Sequence, residues 1–190
     1  LLSSLHIFFH KFTKYISPFL TDFKKITVDF KHQQMIDNCA LKHLKVDNIY
    51  KLKDIHEGAS YYENLKNTSL AQVAVEKLIG VKFIDWERKQ QFKNYKPILN
   101  VSNQKIEIIA CPFGDLPLIK KDTLENVIIC LISDNRVVTI CGYINLKNEG
   151  IEFLQSSHVV MQTIGRFTSF SLVQPFNNIE ELTSILELND

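Results

Sequence analysis

Glu107 stands inside an apolar run, Ile106-Glu107-Ile108-Ile109. A carboxylate there is costly unless something satisfies it. By strand alternation Ile106 and Ile108 take one face, while Glu107 and Ile109 take the other. If that second face met only solvent, Ile109 would be exposed with it. Lys105 shares the face of Glu107 two residues back, which makes these two the best acid–cation pair in the strand. Upstream, Gln72 and Glu76 lie one helical turn apart on one face. Converging carboxylates can hold a divalent cation or move a proton. Gln72, Glu76, Lys105 and Glu107 are therefore the catalytic candidates, with Glu107 as the metal-ligand candidate.

A second set is built for polyanions. Arg88, Lys89, Lys93 and Lys96 are interleaved with Trp86, Phe92 and Tyr95, and no acid follows Glu87 in that stretch. Cations with aromatics track phosphates and stack bases. Arg88, Lys89, Lys93, Tyr95 and Lys96 are the nucleic-acid-binding candidates. The competing reading is a solvated linker whose aromatics pack on the core. Arg88, Arg136 and Arg166 are the only arginines, so base readout by many Arg forks is not on offer. No pair among Cys39, Cys111, Cys130 and Cys141 has metal-site spacing. Cys111, Cys130 and Cys141 sit in apolar runs and act as small hydrophobes. A reduced intracellular (cytoplasmic) protein is the simplest account, although the even number leaves disulfides open.

These residues need a scaffold. The chain has 190 residues, 45% hydrophobic and 23% charged, which is globular composition and excludes bulk disorder. Net charge is +1 but uneven: residues 1–96 carry 16 Lys/Arg and 10 Asp/Glu, and residues 97–190 carry 6 and 11. Residue 1 is Leu rather than Met, which reads as a processed or truncated start. Leu1 to Leu20 is too polar for a membrane span; its aromatic spacing predicts an amphipathic helix that Pro18 ends or bends. Periodicity predicts helices over about Lys31 to Lys45 and Thr68 to Ile79, the latter capped by Thr68 or Ser69 and ended by Gly80. Val46 to Ser60 is broken and polar. Strands are predicted at Ile98 to Val101, Ile106 to Cys111, Leu116 to Ile119, Val127 to Ser133 and Val137 to Ile144, with short hairpins at Ser102-Asn103 and Asp134-Asn135. Val127 to Ser133 is apolar on both faces and reads as a central strand. A strand near Phe170 to Val173 and a helix over Ile179 to Leu188 close the chain. The class is α+β, with a mixed sheet flanked by helices in a three-layer α/β/α-like arrangement.

In this order the segments resemble the PD-(D/E)xK, or restriction-endonuclease-like, nuclease superfamily. The resemblance rests on 74–81, Ile106-Glu107-Ile108-Ile109, 127–132, Ile140-Cys141-Gly142-Tyr143-Ile144, and the ending from Phe170 through Leu182. It covers about Thr68 to Leu188, giving a nuclease-like core at 68–190 behind an N-terminal helical extension at 1–67. The family's chemistry needs two carboxylates on Mg²⁺ and a lysine two residues beyond the strand acid. Glu107 matches the strand acid. Ile109 occupies the lysine position, the stretch from Pro97 to Asn100 holds no acid, and Gln72 stands at the helix-acid position. Glu76 is the stand-in for it. The resemblance thus implies a nuclease fold that binds nucleic acid with hydrolysis weakened or lost. One alternative is a non-enzymatic interaction or structural subunit, docking a protein partner through its N-terminal helices and favoured if Phe8, Phe9, Phe12, Tyr15, Phe19 and Phe23 are exposed. The other is an Mg²⁺-dependent endonuclease with a rearranged site.

Overall fold

The computed structural model describes residues 12–120, 122–147, 152–153, 164–166 and 170–188. Expectations that rest on residues 1–11 lie outside them. Residues 12–16 form a helical turn, and Pro18 sits at the start of the 3₁₀ turn Ser17–Phe19 that follows. A short strand β1 (Lys24–Thr27) precedes α1 (Phe30–Leu44), whose N-cap Asp29 accepts the His32 N–H at 3.0 Å. Lys77 Nζ also reaches Asp29 at 2.8 Å; with the His32 contacts it holds that carboxyl well below the usual range. Asp29 thereby ties the start of α1 to the next helix.

That helix, α2 (Gly58–Ile79), is ten residues longer than its sequence pattern predicts. Thr68 and Ser69 do not cap it; they lie mid-helix. The polar stretch before them obscures the pattern because its face borders a cavity rather than a hydrophobic core. Gly58 is required at the start: a Cβ there would stand 2.4 Å from the Leu52 carbonyl oxygen. Gly80 ends α2 with φ 72°, as expected. A short α3 (Trp86–Gln91) follows, capped by Asp85. The boundary between residues 67 and 68 falls inside α2, and β1 from the segment before it belongs to the main sheet.

The strands are β2 (Leu99–Val101), β3 (Gln104–Pro112), β4 (Leu118–Lys120), β5 (Asn126–Ser133), β6 (Val137–Asn145), β7 (Glu152–Phe153) and β8 (Ile164–Arg166). The main sheet runs β1-β6-β5-β3-β2, and a small sheet runs β4-β8-β7. Ser102 and Asn103 both have positive φ, as a two-residue hairpin demands. Neighbours on both sides and burial of residues 127–132 make β5 the central strand its composition predicts. β3 and β5 pair in parallel, with the excursion 113–125 between them. The segment near Phe170 is a 3₁₀ turn (Phe170–Leu172), and among the described residues only Gln174 bridges to the sheet, at Tyr143. The closing helix α4 spans Ile179–Leu188, as expected.

One sheet face packs Ile106, Ile108, Ile128, Cys130, Ile140 and Tyr143 against α1, α2, α3 and α4. The other packs Val127, Ile129, Leu131, Cys141 and Ile144 against Phe12, Ile16, Phe23 and Phe170. Phe12 and Phe23 are thus buried rather than offered to a partner, while Tyr15 is half-exposed at 39%. A β-bulge sets the parity of β6. Ile129 faces Gly142 and Cys130 faces Ile140, which leaves Cys141 unopposed. Ile140 and Tyr143, three residues apart, therefore point to the same face. All four cysteines are free and buried, and burial raises each thiol, Cys111 to about 12. None is an activated nucleophile. Among the described residues no helix is long and apolar enough to cross a membrane.

Candidate functional site

An open cavity of about 1120 Å³ lies between α2, the outer end of β3 and the 115–123 segment. Two ladders at helical spacing build its helix wall: Ala59, Glu63 and Asn67, then Ser60, Asn64, Thr68 and Gln72. These polar positions are the signal that a short reading of α2 hides. Glu107 lines the opposite wall. It is half-buried, and its Oε2 accepts the Leu124 N–H at 3.0 Å. That bond satisfies part of the carboxylate and pins the loop that leads into β5. Ile109 lies beside it, and Lys96 borders the same space.

Gln72, Lys96 and Glu107 are therefore brought to one cavity. Glu76 and Lys105 are not. Glu76 is buried one turn beyond Gln72, and its Oε1 accepts the N–H groups of Phe83 at 2.7 Å and Ile84 at 2.8 Å. Its Oε2 takes Lys82 Nζ at 3.2 Å. It clamps the chain that leaves α2, so its carboxylate is already committed. Lys105 is exposed opposite Asn100 in the hairpin. Among the described residues no three of His, Cys, Asp or Glu converge as a metal site. The donor set does not fit the Mg²⁺ that the nuclease resemblance implies.

The basic stretch divides. Lys89 turns inward: it is buried, and Nζ donates to Gln72 Oε1 at 2.8 Å. This removes its ammonium from the exposed row in which its sequence spacing places it. The reason is register: within α3, Lys89 falls on the inner side with Trp86, whose ring lies 6.0 Å from Nζ. Arg88, Lys93 and Lys96 remain exposed. Arg88 lies 5.1 Å over the Tyr95 ring and Lys93 lies 4.4 Å over the Tyr61 ring. Phe92, 56% exposed, stands between them in sequence.

Burial lowers the Lys89 pKa to about 8. The folded chain thus holds this proton less tightly than the unfolded chain, whose amine titrates near 10.5. The destabilising cost is complete below pH 8 and fades as pH rises towards 10.5. Lys89→Met is expected to stabilise the protein at pH 7 by about 1–3 kcal/mol. Its urea midpoint is also expected to vary less than that of the parent between pH 8 and 10.5. A lower midpoint at pH 7 would mean that the Gln72 bond outweighs the desolvation.

Compared with known proteins, the chain matches no family model, no curated protein and no solved structure. The fold and the cavity define it by physical class: a mixed α+β chain with a curled five-stranded sheet, and an open cleft of mixed polar and apolar lining at one sheet margin.

Proposed function

We propose that this chain is a nuclease-fold protein that binds nucleic acid with hydrolysis weakened or lost. The observation that carries the reading is the exposed 88–96 ribbon. Arg88 and Lys93 are each braced on an aromatic ring, and Phe92 is presented to solvent beside them. Braced cations lose less freedom on meeting a phosphate, and an exposed ring supplies a stacking platform. The order of elements and Glu107 on the strand wall support the nuclease-like ancestry. The restriction-endonuclease-like identity of the fold belongs to this proposal. Loss of hydrolysis follows from Ile109 at the lysine position and from Glu76, which is spent on backbone N–H groups.

The test is a salt titration with a labelled single-stranded oligonucleotide. Removing one phosphate-neutralising cation is expected to reduce the log–log salt slope by about 0.7. Arg88→Ala with Lys93→Ala should therefore flatten it by about 1.4, while Lys89→Met leaves it unchanged. Phe92→Ala should weaken binding by about 1–3 kcal/mol with the slope retained. Binding that ignores both salt and these substitutions would overturn the proposal. Cleavage with Mg²⁺ or Mn²⁺ that disappears in Glu107→Ala would instead establish a rearranged endonuclease.

A further inference from the structure

Among the described residues the cavity contains an unfinished sheet edge. On one side β3 pairs with β5 over Ile106 to Pro112. On the other side β2 pairs only with Gln104 to Ile106. Val101 and Gln104 close the hairpin, and backbone direction alternates along a strand. Gln104, Ile106, Ile108 and Ala110 therefore turn their N–H and C=O groups to the β2 side. Past Ile106 that side opens onto the cavity. The chain entering β2 passes at Pro97, which has no N–H to offer. Among the described residues no backbone hydrogen bond takes up Ile108 or Ala110 on this side. Exposed edges of this kind are usually short, charged or covered.

We infer that this edge takes an extended, lysine- or arginine-bearing polypeptide segment as an added strand. The backbone calls for a polypeptide, since a strand meets N–H and C=O groups at matching spacing. The length agrees: Glu107 to Pro112 spans about 20 Å at about 3.3 Å per residue. Charge selects the occupant. Among the described residues Glu107, Asp115 and Asp122 line the space against Lys96 and Lys120, and a fourth carboxylate, Glu63, is paired with Lys66 at 2.8 Å. A phosphate backbone would meet net repulsion there, and a second copy's β3 would bring another Glu107 into it. A cationic strand meets attraction, with side chains alternating between the α2 wall and the 115–123 wall. Lys96 borders both this site and the ribbon, but Arg88, Phe92 and Lys93 are not among the residues that line the cavity, so either site can fail alone.

The test uses the intact protein and a fluorescent peptide that alternates lysine and valine. Binding is expected, with shifts of the Ile108 and Ala110 amide signals in nuclear magnetic resonance spectra. Two further peptides carry backbone N-methyl groups at alternate residues, in opposite phases. One phase should bind at least about tenfold more weakly and the other close to the parent, because only alternate N–H groups face β3. Replacing lysine by glutamate in the peptide should cost about tenfold or more. Ala110→Pro removes a donor on the open side alone and should weaken the parent peptide about tenfold. The N-methylated peptides decide the matter should that variant fail to fold. Equal binding by both phases, equal binding of the glutamate peptide, or no binding of the lysine peptide would each overturn the assignment. Concentration-dependent dimerisation abolished by Ala110→Pro would give the edge to a second copy and also overturn it.

Discussion

Glu76→Ala is expected to lower stability by about 3–5 kcal/mol, which is a large share of what holds a small domain folded. The side chain is 1% exposed and accepts two backbone N–H groups from the segment after α2. A bond to an ionised acceptor contributes about 1.5–3 kcal/mol, and each donor left buried without a partner adds its own desolvation cost. The ion pair to Lys82 adds little, since that lysine is 74% exposed. Glu76→Gln should recover most of the loss because its amide oxygen still accepts from Phe83 and Ile84. A urea titration of the three proteins measures this, and amide exchange at Phe83 and Ile84 locates it. A Glu76→Ala protein of parental stability would show that the carboxylate is held for chemistry.

Gly142→Ala is expected to cost about 3–5 kcal/mol by a different route. Gly142 has φ 137°, where a side chain is strained. An added Cβ would stand 2.3 Å from the Gln174 carbonyl oxygen, 2.6 Å from its carbon and 2.8 Å from the Pro175 nitrogen. All three are backbone atoms, so no rotamer change relieves the clash. The displaced segment exchanges two hydrogen bonds with Tyr143, at 2.9 and 2.8 Å, and it leads to the buried Phe176. The thermal midpoint of the variant should fall accordingly, and the loss should not shrink when residual stability is measured at other pH values. Retention of the parental midpoint would mean that the 174–175 crossing yields freely.

Much of the scaffold is legible in the sequence because short-range physics dictates it. The apolar run 127–132 demands a strand covered on both faces, Ser102-Asn103 demands a two-residue turn, and Gly80 demands a helix end. The bounds of α4 follow from its pattern because its buried face and its solvent face differ sharply in polarity. The start of α2 escapes such reading because its polar ladders face a cavity, and apolar periodicity is blind to such a face. β1 escapes it because four residues at a sheet edge carry too little pattern to stand out from a loop.

The candidate site divides in the same way. The residue types are determined locally: an acid inside an apolar strand, a helix with Gln72 and Glu76, and a basic ribbon with aromatics. Which of them meet is decided by tertiary structure alone. Helical spacing places Glu76 one turn from Gln72, but only the path of residues 82–84 folding back over it turns that carboxylate into a backbone clamp. Lys89 belongs to the basic row by sequence, yet the packing of α3 turns its ammonium inward to Gln72. The margin of β3 left unpaired among the described residues has no local signature at all. A strand's unpaired side is defined by where its neighbours stop, and that depends on chain dozens of residues away.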